Sequence, residues 1–195
     1  MSELVSNLSG DNSVGYLGLF IGSMFSGKTS KLTELHRKYT FIGKRVLVIN
    51  FAGDTRYSAD GMVSHDGVKI PCIMSDSISE IIAGHSADIS AADVILINEG
   101  QFFEDLYDSV IYLVETLRKR VYIAGLDGDF KQEKFGRLLD LIPKCDEIVK
   151  LHAICAKCRD GTPAIFSMRI TAESDQVVIG TDNYMAVCRR CYNNN

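Results

Sequence analysis

Proline and basic charge are both scarce, and long apolar runs are missing. Three prolines stand against sixteen glycines, which argues against fibrous and Pro-rich linker classes. No stretch approaches the ~18 consecutive apolar residues of a membrane span, so no membrane partner is expected. Lysine and arginine total 21 against 25 acidic residues, for a formal net charge of −4 and a pI near 5.6. No overall basic field therefore draws the chain to nucleic acid or anionic lipid, and a negatively charged ligand must be gripped locally. Residues 1–14 lack the basic and apolar regions of a secretory leader; polar for most of their length, they are expected to form a loose tail. No internal repeat is present, and no low-complexity tract beyond the closing Asn193-Asn194-Asn195.

What is present suits a folded chain. Hydrophobic residues make up 46% of the 195 and charged residues 24%, enough apolar surface to offset chain entropy over one domain and a small appendage. Six cysteines without a leader favour a reducing compartment, with metal-bound or free thiols rather than disulfides. A soluble, cytoplasmic protein is expected.

Four short apolar runs stand out: Leu17–Ile21, Val46–Ile49, Val94–Ile97 and Val121–Ala124. Their apolarity is continuous rather than alternating, as in strands covered on both faces of a parallel sheet. Helical spacing falls between them. Leu32, Leu35, Tyr39 and Ile42 follow the first run; Leu106, Val110, Leu113, Val114 and Leu117 follow the third, with Arg118-Lys119-Arg120 placed to close that helix against its dipole. Strands alternating with helices predict right-handed crossovers and an open α/β sheet with helices on both faces. The pattern changes near Pro143. From Leu151 onward it becomes short and hairpin-like, with Ala164–Ile170 facing Gln176–Ile179 across a turn at Ser174-Asp175. This divides the chain into a tail at 1–14, an α/β domain at 15–150 and a small lobe at 151–192.

Gly22-Ser23-Met24-Phe25-Ser26-Gly27-Lys28-Thr29 fits G-x-x-x-x-G-K-[ST] at every fixed position, between an apolar strand and a helical pattern. The glycines let successive N–H groups turn inward on a polyphosphate at a helix N-terminus that already favours anions. Lys28 adds a point charge for the terminal phosphates, and the Thr29 hydroxyl is placed for Mg²⁺. The loop points to a nucleoside triphosphate and is silent on the acceptor.

Ligands of open parallel sheets sit beyond the carboxyl ends of the strands. Glu99 leaves the third run there, where a carboxylate could orient water or take a proton from an acceptor hydroxyl. A helix N-terminal glutamate stabilised by the dipole is the structural alternative. Asn98 before it is unusual, because P-loop enzymes usually carry Asp at this strand end for Mg²⁺. An amide keeps an oxygen but loses the charge.

Cys155-x-x-Cys158 and Cys188-x-x-Cys191 offer the four thiolates of a structural Zn²⁺ site. The 29 residues between the pairs exceed the ~15–20 of a common ribbon, so an ordered excursion must lie between them, clamped at both ends and able to close over a ligand. Lys150, Lys157, Arg189 and Arg190 are near enough in sequence to moderate the thiolate charge. Cys72 and Cys145 are isolated and expected to be buried thiols.

Taken in order, the phosphate loop at 22–29, Asp54-Thr55-Arg56-Tyr57-Ser58, Ser64-His65-Asp66-Gly67, Glu99-Gly100-Gln101-Phe102-Phe103, Leu126-Asp127-Gly128-Asp129-Phe130, Phe135-Gly136 and the two cysteine pairs resemble the type II thymidine kinases over residues 15–192. The resemblance implies a P-loop, RecA-like sheet carrying a zinc-bound β lobe with a lasso loop over the substrate. It also implies transfer of the γ-phosphoryl of ATP, with Mg²⁺, to the 5′-hydroxyl of thymidine. Glu99 matches the catalytic base. Asp54, Thr55 and Arg56 match a stretch near the phosphates, where Arg56 adds charge stabilisation; Asn98 and Gln101 fall on the nucleotide side. Met24, Phe102, Leu126, Phe130 and Phe135 match the walls around the nucleoside, and Val177, Val178, Ile179 and Tyr184 the segment that holds the pyrimidine through main-chain groups. Flat rings suit a base because every base has a π-face, although such phenylalanines are equally at home in a core. A homotetramer and feedback inhibition by thymidine triphosphate are implied as well. Two departures stand out: Asn98 replaces an acid, and Arg159–Arg169 align only with an offset, which affects Ser167.

Two other readings follow from the same residues. One is a nucleoside-binding P-loop protein with catalysis weakened at Asn98. The other is an NTP-driven switch whose zinc ribbon touches nucleic acid. The ribbon reading needs clustered Lys and Arg, yet residues 159–187 hold only Arg159 and Arg169 against Asp160, Glu173, Asp175 and Asp182. That acidic balance disfavours nucleic acid as a partner.

Overall fold

A computed structural model of the chain describes residues 14–53, 70–173, 175, 176, 178, 180 and 182–194, and the backbone alone of 62, 63 and 69. Strand β1 (Tyr16–Gly22) leads through the glycine loop into α1 (Lys28–Phe41) and β2 (Val46–Phe51). Two-residue strands β3 (Met62–Val63) and β4 (Lys69–Ile70) pair antiparallel. Then come β5 (Ile73–Ser75), α2 (Ile78–Gly84), α3 (Ser86–Ala91) and β6 (Val94–Ile97). A 3-10 turn (Gly100–Phe102) precedes α4 (Leu106–Ile111), a π-turn (Tyr112–Thr116) and β7 (Arg120–Gly125). A second 3-10 segment (Leu138–Lys144) and β8 (Glu147–Leu151) complete the larger body. The remainder holds β9 (Ala153–Ile154), β10 (Pro163–Ala164), β11 (Phe166–Arg169), β12 (Tyr184–Val187) and α5 (Arg189–Asn193).

Six strands form one parallel sheet in the order β5-β2-β6-β7-β1-β8. The four apolar runs of the sequence are its four inner strands. Their side chains alternate between two cores. Leu17, Leu19 and Ile21 pack with Ile78, Ile81, Ile89, Leu106, Val110 and Leu113 on one face. Tyr16, Phe20 and Tyr122 pack with Leu32, Leu35 and Tyr39 of α1 on the other. Helices on both faces explain why these strands read as unbroken apolar runs. Each fully buried aliphatic side chain contributes about 1.5–3 kcal/mol through apolar burial. Beneath α1 the hydroxyls of Tyr39 and Tyr122 share a buried hydrogen bond of 2.8 Å, and burial, with help from that bond, pushes the Tyr39 phenol well above its ordinary pKa.

Several expectations need correction. Ile42 does not extend the buried stripe of α1; it is the C-cap and is 47% exposed. The helix after the third strand ends in the π-turn, and Arg118 adopts a left-handed φ of 53°. Only Arg118 of the three cations lies outside other duties. Lys119 Nζ donates to the carbonyls of Ser90 and Ala92 at the end of α3, both at 2.8 Å, while Arg120 lies in β7 with its guanidinium over the Tyr16 ring. The lobe hairpin pairs β11 with β12, Phe166 opposite Val187 and Arg169 opposite Tyr184; Val177 and Ile179 of the segment expected opposite β11 lie outside the described residues. Cys72 and Cys145 are half-buried, not buried. Among the described residues no helix is long and apolar enough to cross a membrane.

Asp105 joins two elements on the first core's side of the sheet. Its carboxylate accepts from the backbone N–H of Ile78 and Ser79, at 3.2 and 2.7 Å, and from Ser77 Oγ at 2.9 Å, capping α2 from outside that helix. Burial alone would raise its pKa, but the N–H of Ser79, the Ser77 hydroxyl and the N–H of Ile78 outweigh it and hold the carboxyl below the usual range. Asp105→Ala is expected to lower the unfolding free energy at pH 7 by about 1–2 kcal/mol, the range for a lost helix cap. Because the folded pKa is depressed, that contribution is complete above the unfolded value of about 3.9 and is lost as pH falls through the folded value. Urea melts of the two proteins should therefore converge on acidification; a gap that stays constant down to acid unfolding would remove Asp105 as an ionised cap.

Candidate active site

The phosphate loop leaves β1 at the carboxyl edge of the sheet. Phe25 (φ 62°) and Gly27 (φ 85°) are left-handed, and Gly27, where a Cβ would be strained at that φ, sits at the N-cap of α1. The first turn of α1 has neither a capping side chain nor an acidic residue, so its amide dipoles stay available to an anion. Lys28 Nζ reaches back to the Ser23 carbonyl at 2.7 Å, spanning the loop. Ser26 Oγ is buried and has no partner among the described residues, the state of a donor awaiting a phosphate oxygen. These residues fit a triphosphate.

Thr29 ties the loop to the next strand but one. Its hydroxyl donates to Asn98 Oδ1 at 3.3 Å, which leaves the Thr29 lone pairs for a cation, as a Mg²⁺ ligand requires. Asn98 is 1% exposed, and its Nδ2 donates to Asn50 Oδ1 at 2.8 Å. Asn50, at the end of β2, is itself fully buried. The neutral residue at 98 thus has a neutral partner of matching polarity, a physical account that the sequence did not offer. A carboxylate there would face the Asn50 oxygen unless that amide turned.

Glu99 follows immediately, in a left-handed conformation (φ 55°, ψ 40°) ahead of the 3-10 turn. Its Oε2 accepts from Gln101 Nε2 at 2.7 Å, and Gln101 Oε1 accepts from the backbone N–H of Leu126 at 2.9 Å. Leu126 comes directly after β7. The ends of β6 and β7 are therefore laced together through one side chain. Phe102 stacks on Phe51 at 4.9 Å and meets the edge of Phe135 at 5.3 Å. A cavity of about 420 Å³ opens beside Phe51 and Phe102, with Asp76, Ser77, Glu104 and Asp105 on its rim.

The small lobe sits against this edge. Met24 N–H donates to Ser167 Oγ at 2.9 Å, and Ser23 Oγ to the Ala164 carbonyl at 3.3 Å. Asp129, 6% exposed, accepts from the N–H of Lys131 and Glu133 and from Gln176 Nε2 at 2.8 Å. Tyr192 Oη donates to the Phe130 carbonyl at 2.6 Å. Arg169 is the hub. Its guanidinium lies 3.8 Å from the centre of the Phe130 ring, and its N–H groups reach the carbonyls of Glu173, Asp175 and Gln176 and the Tyr184 hydroxyl. Val178 is half-buried.

The cysteine pairs converge. The four Sγ atoms lie within 4.8 Å of one another, with Cys158 3.7 Å from Cys188 and 3.4 Å from Cys191. A tetrahedron with Zn–S of 2.3 Å has edges of about 3.8 Å, so the set fits zinc. Cys155 is buried, which would raise its pKa, yet N–H groups of Cys158, Cys188 and Lys157 pull it to about 6, favouring the thiolate a metal needs. Arg190 donates to Cys158 Sγ at 3.4 Å. Lys150 and Arg189 are engaged elsewhere, on Asp127 at 2.7 Å and over the Phe166 ring.

Among the residues singled out by sequence, Asp54, Thr55, Arg56, Tyr57, Ser58, Ser64, His65, Asp66, Gly67, Val177 and Ile179 lie outside the described residues. The others gather along the carboxyl edge of the sheet and the face of the lobe. Sequence reasoning missed Asn50 and gave no role to Asp129, Arg169 or Gln176, although Asp129 lies in the 126–130 motif and the other two in the segments read as a hairpin. The available signal was a polar residue closing an apolar strand for Asn50 and an arginine inside a hairpin strand for Arg169.

The thymidine kinase family profile matches residues 15–192. The thymidine kinase of Yaba monkey tumor virus is 39% identical over 179 residues, covering 91% of this chain and 94% of that protein. That of Bacteroides thetaiotaomicron is 41% identical, covering 91% and 87%, and the cytosolic thymidine kinase of Gallus gallus is 34% identical, covering 91% and 77%. At a TM-score of 0.46 and 17% identity, covering 74% of this chain and 42% of its own, a solved DNA replication initiation factor is too distant to add to that. A phosphate loop, a carboxylate two strands away and a four-thiol lobe, matched over nearly the whole chain, place this protein in the thymidine kinase family.

Proposed function

We propose that the chain phosphorylates thymidine at its 5′-hydroxyl with ATP as donor and that Glu99 is the base. The observation that carries the reading is the Thr29–Asn98 hydrogen bond, which fastens the phosphate loop to the strand end from which Glu99 emerges. Phosphoryl transfer needs little covalent help from protein; positioning and charge stabilisation dominate. The Glu99 carboxylate accepts the proton of the 5′-hydroxyl as that oxygen bonds to the γ-phosphorus. The bond from the γ-phosphorus to the β–γ bridging oxygen breaks, and ADP leaves with the electron pair. Lys28 and the loop amides at the N-terminus of α1 hold the phosphates, with Arg56, Asp54 and Thr55 assigned to the same side by the family resemblance. Mg²⁺, held through Thr29, supplies charge neutralisation across the phosphate oxygens when bound. Met24, Phe102, Leu126, Phe130 and Phe135 wall the nucleoside, and the segment Val177-Val178-Ile179 with Tyr184 closes over the base.

The division into 15–150 and 151–192, with β8 carrying the sheet one residue further to Leu151, assigns the donor to the α/β domain and the acceptor's cover to the lobe, stapled by one Zn²⁺ on Cys155, Cys158, Cys188 and Cys191. A cytoplasmic homotetramer, with thymidine triphosphate as feedback inhibitor, is the assembly that accords with the family.

Glu99→Gln is expected to abolish thymidine phosphorylation while ATP binding, followed by calorimetry, stays within a few-fold of wild type; near-normal turnover would remove Glu99 as base. Asn98→Asp is expected to lower the Mg²⁺ concentration for half-maximal transfer several-fold, with the Asn50 amide turning to donate to the new carboxylate. A Mg²⁺ titration that is unchanged or poorer would rule out a role for charge at 98. Elemental analysis should find about one zinc per chain, and a strong chelator should remove it with loss of protease resistance in residues 153–193; full resistance in metal-free protein would end the staple.

A further inference from the structure

We propose that Gln101 is the positioning residue that fixes the Glu99 carboxylate, rather than a contact to nucleotide. The inference rests on the reading of Glu99 as base. Gln101 is 2% exposed, and both ends of its amide have protein partners: Nε2 faces Glu99 Oε2 at 2.7 Å and Oε1 receives the Leu126 N–H at 2.9 Å. Chemistry fixes the orientation. A carboxylate can only accept and a backbone N–H can only donate, so the turned amide would set two acceptors and two donors face to face.

The surroundings are cut to this side chain. A Cβ at Gly125 would come 2.7 Å from Gln101 Oε1, and one at Gly136 2.2 Å from the Gln101 carbonyl. The residue is therefore held by its amide, by its own backbone and by two glycines that leave it room. Glu99 needs such support. Its backbone is left-handed at the turn that ends the strand, and a glutamate has three side-chain torsions to settle. A charge-assisted bond from a donor that is itself anchored on β7 selects one of them. The anchor point is also the start of Leu126, so the base and one nucleoside wall are fixed to the same amide. Small errors here are expensive, since a displacement of about 1 Å at a reacting group can cost on the order of a hundredfold in rate.

Two variants separate the halves of the device. Gln101→Met keeps the shape and removes both bonds; Gln101→Glu keeps the acceptor for the Leu126 N–H and replaces the donor with a carboxylate facing Glu99. Both are expected to lower kcat by about tenfold to a hundredfold, with KM for ATP within about threefold of wild type and, for Gln101→Glu, KM for thymidine also retained. A second readout is independent of turnover: in ¹⁵N-labelled protein the Gln101 side-chain amide resonances should shift upfield in Glu99→Gln relative to wild type, since a neutral acceptor withdraws less density from the N–H. Wild-type kcat in Gln101→Met with Glu99→Gln inactive would overturn the positioning role alone, whereas full activity in Glu99→Gln would overturn the base and this role with it. A kcat loss matched by equal losses in both KM values and in thermal midpoint, or an amide resonance indifferent to residue 99, would likewise reduce Gln101 to a packing element.

Discussion

Ser167 Oγ receives the Met24 amide hydrogen at 2.9 Å, and that bond carries more of the architecture than its own strength suggests. It joins the first loop of the chain to a strand 143 residues later, and Ser23 repeats the junction on Ala164. A phosphate loop alone is a shallow cradle open to water. The lobe is seated on its flank, and Gln176 and Tyr192 grip Asp129 and Phe130, so it is fastened to the sheet edge at two separate places. Each such bond is worth about 1 kcal/mol. Their effect is geometric, because they set where the excursion between the cysteine pairs begins and ends.

Apart from Ser26 Oγ and Arg169 Nε, the buried polar side chains along this edge are satisfied by one another, and this limits what each can be. Asn98 bonds Thr29 on one side and Asn50 on the other, so its identity is tied to that of Asn50. Glu99, Gln101 and the Leu126 N–H form a second chain alongside. Where dielectric screening is weak, donors and acceptors must alternate along each chain or leave a buried group unmet. A substitution at one member therefore changes the requirement on the next, and the amide at 98 is best read as half of a pair with Asn50.

The inner strands were legible in the sequence and the edges were not. β2, β6, β7 and β1 are covered on both faces and read as unbroken apolar runs. β5 and β8 flank them; β8 alternates half-buried and exposed positions and carries Glu147 and Lys150, so neither periodicity nor composition marks it as part of a parallel sheet. The phosphate loop and the cysteine pairs were legible because their spacing is set by ligand geometry rather than by packing. The pairing of the lobe hairpin was hidden, since β12 lies beyond an excursion whose carbonyls at 173, 175 and 176 are held by a side chain, Arg169, rather than by a ladder. The role of Gln101 was hidden for a related reason: two residues from Glu99 in sequence, it is anchored by the backbone N–H of Leu126, just beyond the end of another strand.

The lobe's own core explains why it cannot be a passive cover. Among the described residues its buried apolar members, apart from Met168 and Val187, are alanines and the cysteines themselves, little apolar area for a unit of roughly forty residues, a size at which a metal or disulfide is usually needed. Cys155 and Cys188 belong to that core and to the thiol cluster together. Thiol geometry and hydrophobic packing are thus one structure, and the hydrogen bonds that Ser167, Gln176 and Tyr192 extend to the phosphate loop and the Phe130 segment are only as well placed as the four sulfurs beneath them.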